Sequence, residues 1–162
     1  MDKKKNLRPS IFDRLIDDEP HIKIEPERSK HQQIQSLRSS VLRDLEGLLN
    51  TRYKMLSPNS QHTESQTSLL NYGMPDLATI NIVNDDKQKE FIHDLETILR
   101  QYEPRFKSVS VMFVQNENSV DRTLRFRVNA TLYADPAPEV IVFDSVLEPV
   151  SRSVNVEESR HG

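Results

Sequence analysis

Apolar residues in this chain follow two rhythms, steps of three and four before residue 104 and steps of two after it. From about Ser29 to Arg52, Ile34, Leu37, Val41, Leu42, Leu45, Leu48 and Leu49 form one stripe at helical spacing. Arg38, Arg43, Asp44 and Glu46 take the opposite side of this predicted helix, where charges are normally solvated. A second amphipathic helix is expected over about Asp86 to Tyr102, with Phe91, Ile92, Leu95, Ile98, Leu99 and Tyr102 inward and Asn84 or Asp85 as its cap. Pro104 ends it, because proline lacks the amide donor and pushes Glu103 out of helical geometry.

Alternation then takes over. Val109, Val111 and Phe113 mark one strand, and a turn is expected at Asn116-Glu117-Asn118-Ser119. Between Thr123 and Ala134, Leu124, Phe126, Val128, Ala130 and Leu132 point one way, while Arg125, Arg127 and Tyr133 point the other. Pro136-Ala137-Pro138 breaks that strand, and a third follows from Glu139 to Ser145. The implied fold is α+β, with two main amphipathic helices packed on one face of a small antiparallel three-stranded sheet. The expected division is an N-terminal extension over 1–28, a core domain over 29–150 and a polar, frayed tail over 151–162.

Within the extension, Ser10 can cap a short helix, with Asp13 completing a weaker form of the capping box. Ile11, Phe12, Leu15 and Ile16 share its apolar face, which suits either docking on the chain's own domain or hooking a partner. The stretch from Ser57 to Ser68 reads as an exposed polar loop. Gly73, one of three glycines, is expected to supply a backbone conformation that other residues resist.

Composition narrows the function. The 162 residues are 29% charged and 35% hydrophobic, with a formal net charge of −3, so no whole-chain basic field points to nucleic acid. Absence of cysteine rules out disulfides, thiolate metal sites and a thiol nucleophile, and fits a reducing, cytoplasmic setting. No apolar run approaches a membrane span. The five histidines lack ligand spacing, and three glycines cannot build a nucleotide-phosphate loop. Carboxylate pairs such as Asp85-Asp86 and Glu157-Glu158 read as caps and tail, not as the acid and base of a glycosidase cleft. A non-enzymatic protein without cofactor or metal is therefore expected.

One short motif stands apart, Tyr102-Glu103-Pro104-Arg105-Phe106. In extended chain, residues two apart share a side, so Glu103 and Arg105 are expected to be displayed together at a helix-to-strand corner. They either form a local ion pair that pins the corner or are presented to a partner. Displayed on one domain, such a pair contributes only ~0–1 kcal/mol to folding.

Four pieces then carry a resemblance: Ser10-Ile11-Phe12-Asp13-Arg14-Leu15; Ser40 to Arg52; Asn71-Tyr72-Gly73-Met74-Pro75-Asp76-Leu77; and Glu103-Pro104-Arg105. In this order they resemble the TssE family of type VI secretion baseplate subunits, within the phage baseplate-wedge, sheath-initiator family once labelled lysozyme-like. The resemblance implies a structural subunit that joins the wedge proteins TssF, TssG and TssK. It also implies that the TssB–TssC sheath starts on this subunit by strand pairing. The implied setting is the baseplate at the cytoplasmic face of the inner membrane. Glu103, Pro104, Arg105, Arg43, Asp44, Arg52, Ile11, Phe12 and Leu15 are the candidate protein-interaction residues. A phage or prophage tail baseplate is the alternative machine, and a peptidoglycan glycosidase the alternative chemistry. At least one sheet edge is expected to be left open for a partner.

Overall fold

The computed structural model describes residues 10–16, 20–22, 29–52, 64, 68–75, 85–116, 123–134, 137–148, 151 and 153–159. Most of the loop between Ser57 and Ser68, the Asn84 cap and the tip of the turn after Asn116 lie outside them. Helix α1 spans Ile11–Leu15, α2 spans Lys30–Asn50 and α3 spans Asp85–Tyr102. Ser10 caps α1 in a full capping box, its hydroxyl accepting from the Asp13 amide at 3.1 Å while its own amide donates to the Asp13 carboxylate at 3.0 Å. Ser29 and Gln32 build the same device at the start of α2, which fixes where that helix begins.

The stripe of α2 is buried at Leu37, Val41, Leu45, Leu48 and Leu49, and that of α3 at Phe91, Leu95 and Leu99. After α3 the chain turns tightly, with the Glu103 amide donating to Leu99 O at 3.0 Å and the Phe106 amide to Glu103 O at 3.1 Å. It then enters an antiparallel sheet of order β1-β2-β3-β4, with β1 Phe106–Val114, β2 Leu124–Leu132, β3 Glu139–Glu148 and β4 Ser153–Glu158. One sheet face supplies Val109, Val111, Phe126, Val128, Phe143 and Leu147 to the core that α2 and α3 complete. Phe91 stacks on Phe113 at 5.9 Å and meets Phe126 edge-on at 6.2 Å, which ties α3 to the first two strands. Helix α2 contacts β4 and α3 contacts β1, so the two helices pack against the two outer strands of the sheet.

The expectation of three strands is corrected to four. The segment expected to be a frayed tail pairs with β3 from Ser153 to Glu158, and β3 itself runs on to Glu148. Val154 and Val156 are buried under α2 and drive this pairing. With only two apolar positions among polar neighbours, β4 has too short an alternation to stand out from a solvated tail.

Gly73 does hold a conformation other residues resist, with φ at +114°. There Met74 donates to Thr51 O at 2.8 Å, and a Cβ on Gly73 would lie 2.5 Å from that same oxygen. This close approach fastens the chain after the long loop to the end of α2.

Candidate functional site

The candidate residues meet where α1, α2 and the α3–β1 corner converge. Glu103 is 5% exposed and the Arg105 side chain 13%, so the charges of this motif turn inward. Of the two readings of the motif, the local ion pair that pins the corner is the one the structure shows, and its charges are turned inward instead of displayed. The turn at Pro104 folds the Arg105 side chain back over Glu103, and only Pro104 of the three is exposed. The Glu103 carboxylate accepts from the Arg105 amide at 3.1 Å, from Nε at 2.6 Å and from Nη2 as well. This fork-on-fork arrangement is the strongest ion-pair geometry available to arginine.

Arg105 has further partners on α2. Its Nη1 donates to Ser40 Oγ at 2.9 Å and its Nη2 to the Asp44 carboxylate at 2.7 Å. Burial disfavours the charge on Arg105, but the bonds from Glu103 and Asp44 outweigh it and hold the guanidinium above its ordinary range. Ser40 and Asp44 lie one turn apart on α2, and that spacing lets a single guanidinium bridge them.

Ser40 passes the connection on, its hydroxyl donating to Asp13 of α1. Arg43 donates to the other Asp13 oxygen at 2.6 Å and to Asp44 at 3.3 Å, which closes the ring. Burial would raise the Asp13 pKa, yet the bonds from Ser40, Arg43 and Ser10 together hold it well below the usual carboxylate range. The Arg43 guanidinium also lies 5.0 Å from the centre of the Phe12 ring. Thus α1 docks on α2 through its polar residues, while Ile11 and Leu15 stay 79% and 77% exposed.

The expected solvation of the α2 charges is corrected for three of them, Arg43 being paired with Asp13 as above. Asp44 holds Arg105, and Arg38 bridges Glu139 of β3 and Glu158 of β4, the latter at 2.5 Å. Arg52 donates to Leu49 O at 2.6 Å and caps the end of α2. Tyr72 joins the site from the Gly73 segment, 5.2 Å edge-on from Tyr102. Burial, with Asp44 and Glu103 nearby, pushes its phenol pKa up. Asp13, Ser40 and Tyr72 were not candidates from the sequence. The i to i+4 relation of Ser40 to Asp44 was the available signal, and nothing local links Asp13 to Arg43 thirty positions on.

This arrangement fixes geometry; each of its charges faces a partner. Among the described residues no cluster of histidine or carboxylate side chains is placed to hold a metal ion. Nor is any helix long and apolar enough to cross a membrane. The fold is thus a small α+β domain in which a polar ring clamps two helices to the α3–β1 corner. The chain is a member of the family described as "Baseplate wedge protein gp25", which it matches over residues 35–137, more than half its length. That span runs from α2 through β2 and includes the Glu103–Arg105 corner. The chain is also similar to one in a solved structure described as "The baseplate complex from the type VI secretion system", with 20% identity and a TM-score of 0.47. The likeness covers 74% of this chain and 97% of that one. No curated protein matches it.

Proposed function

We propose that this chain is a TssE-like structural subunit of a type VI secretion baseplate, which joins the wedge proteins and gives the contractile sheath its first attachment point. Family membership carries the reading, because the family that the chain matches is described as a baseplate wedge protein. The sheet adds to it, since its outer strands β1 and β4 present backbone edges to which another chain can add. TssF, TssG and TssK are the wedge partners in this reading, and TssB and TssC the sheath partners. The baseplate would hold the subunit at the cytoplasmic face of the inner membrane. The exposed face of Ile11, Phe12 and Leu15 is assigned to the wedge, and the Pro104 corner to a neighbouring subunit.

No catalytic role is assigned, because the charged residues of the site neutralise one another within the fold. Imaging of fluorescent sheaths tests the proposal in cells lacking the gene and in cells carrying it back. Sheaths should vanish and return with it, alongside co-purification of TssF and TssG. Normal sheaths without the gene would refute it. Sheaths that fail to assemble while phage-like tails also disappear would move the chain to a prophage baseplate.

A further inference from the structure

Alternation along the strands gives the sheet a second face, opposite the one that α2 and α3 complete. Among the described residues none of the side chains that point to this outer face is buried. Val140 is 64% exposed, Tyr133 56% and Met112 48%. Large apolar side chains standing this far out on three adjacent strands mark a contact surface.

The charges of this face are sorted by strand. From Ser108 to Val114, β1 turns only uncharged side chains outward. Strand β2 presents Arg125 and Arg127, while β3 and β4 present Asp144, Glu148 and Glu157. The strand register sets them in rows. Met112, Arg127, Asp144 and Glu157 stand side by side, and the next row is Val114, Arg125, Val146 and Asn155. Arg127 donates to Asp144 through two nitrogens, at 2.6 and 3.2 Å, and both side chains stay 39% exposed. The face is therefore positive on one side of the line between β2 and β3 and negative on the other.

A face divided in this way complements itself under a two-fold axis that runs along the same line, parallel to the strands. That axis lays β2 of one copy on β3 of the other, and β1 on β4. Arg127 of each copy then meets Asp144 of the other, so two separate pairs become one square of alternating charge. Glu157 meets only the uncharged outer face of β1. A two-fold across the strands would instead lay β2 on β2 and bring arginine onto arginine, which costs binding energy. Size sets the strength. Four strands about 4.8 Å apart, with four outward rows about 6.6 Å apart, give a footprint of roughly 500 Å² per copy. About 1,000 Å² over both copies lies at the low end for a specific interface, so this contact is weak and reversible.

We infer that the outer sheet face is a self-association surface, on which two copies of this chain pack face to face about a two-fold along the β2–β3 line. Met112 and Val140 supply apolar area, and Arg127 and Asp144 select the orientation by pairing across the contact. The strands of the two sheets then run nearly aligned, the usual geometry of a two-sheet sandwich. This inference goes beyond the proposed baseplate role and uses neither the strand edges nor the exposed face of α1.

Sedimentation equilibrium of the full chain, from low micromolar to millimolar concentration, tests this. A reversible monomer–dimer equilibrium is expected, weaker at high salt because part of the contact is charged. Asp144→Arg brings four arginines together and Arg127→Asp four carboxylates, so each variant alone should dimerise at least about tenfold more weakly. Circular dichroism checks that both are folded. Mixed in equal amounts, the two variants should associate again, since every arginine then faces an acid of the other copy. Met112→Ser/Val140→Ser leaves the charges untouched and should weaken the dimer several-fold. A chain that stays monomeric at millimolar concentration would overturn the inference. So would a dimer that neither charge reversal weakens, because the contact would then lie on another surface. Folded variants that fail to associate when mixed would overturn the β2-on-β3 orientation and the self-complementary face with it.

Discussion

Arg105→Ala is the perturbation that most directly tests the inward turn of the corner. It removes the side-chain bonds to Glu103, Asp44 and Ser40 together and leaves the buried Glu103 carboxylate with only the backbone amide of residue 105. Breaking a fully buried pair on one side costs about 3–5 kcal/mol. Arg105 keeps 13% and Asp44 30% of side-chain exposure, so solvent screening lowers the expected loss to about 2–4 kcal/mol. For a chain of this size that is a fall in Tm of about 5–15 °C. Glu103→Gln should be milder, because the amide oxygen still accepts from Arg105 and Asp44 remains to balance the guanidinium.

Chemical denaturation of both single variants and of Glu103→Ala/Arg105→Ala would measure the coupling directly. The double variant should lose less than the sum of the singles, since neither charge is then left buried alone. An Arg105→Ala protein within about 0.5 kcal/mol of wild type would refute the argument, because only a solvated pair behaves so. The same numbers bear on cellular assays. A corner variant that forms few sheaths has lost an interface only if its protein level matches wild type.

Gly73→Ala should destabilise by about 1–3 kcal/mol in urea unfolding, since it combines a disfavoured φ with a clash on the Thr51 carbonyl; an unchanged midpoint would show that the segment relaxes freely. Acid should loosen α1. The folded Asp13 binds its proton more weakly than the unfolded residue does, so its contribution is present above pH ~4 and fades as pH falls through and below that value. In NMR titration Asp13→Asn should remove that dependence, and an α1 signal insensitive to pH in the wild type would count against it. Ile11→Ser/Leu15→Ser should leave Tm unchanged, both side chains being exposed, yet reduce co-purification with TssF and TssG. Wild-type recovery of the wedge would leave this face without a role.

The long elements were legible because each repeats its signal many times. Five buried apolar positions on α2 and alternation across all nine residues of β2 leave little ambiguity about which face is inward. Strand β4 offered only two apolar positions, and its pairing depends on β3 and α2, so nothing within the segment set it apart. The corner failed for a related reason. That residues two apart in extended chain share a side was a sound guide to where Glu103 and Arg105 point, but not to whether that side is wet. Asp44, sixty-one residues away in sequence, decided it.

The inward turn changes what a partner can read at this corner. A neighbouring subunit approaching the motif meets Pro104, the exposed residue of the three, and the rim of a guanidinium already bonded to Glu103, Ser40 and Asp44. Recruiting Arg105 into an intermolecular pair would break bonds that hold α2 to the corner, and the buried Glu103 would be left to compensate. A partner therefore gains more from the shape of the corner than from its charges, and the ring keeps that shape fixed. Through Ser40 the same ring reaches Asp13, so the orientation of α1, with Ile11 and Leu15 outward, is set by the residues that hold the corner. Loss of Arg105 should then disturb two surfaces at once, the Pro104 corner and the face of α1, although Arg105 itself touches only the first.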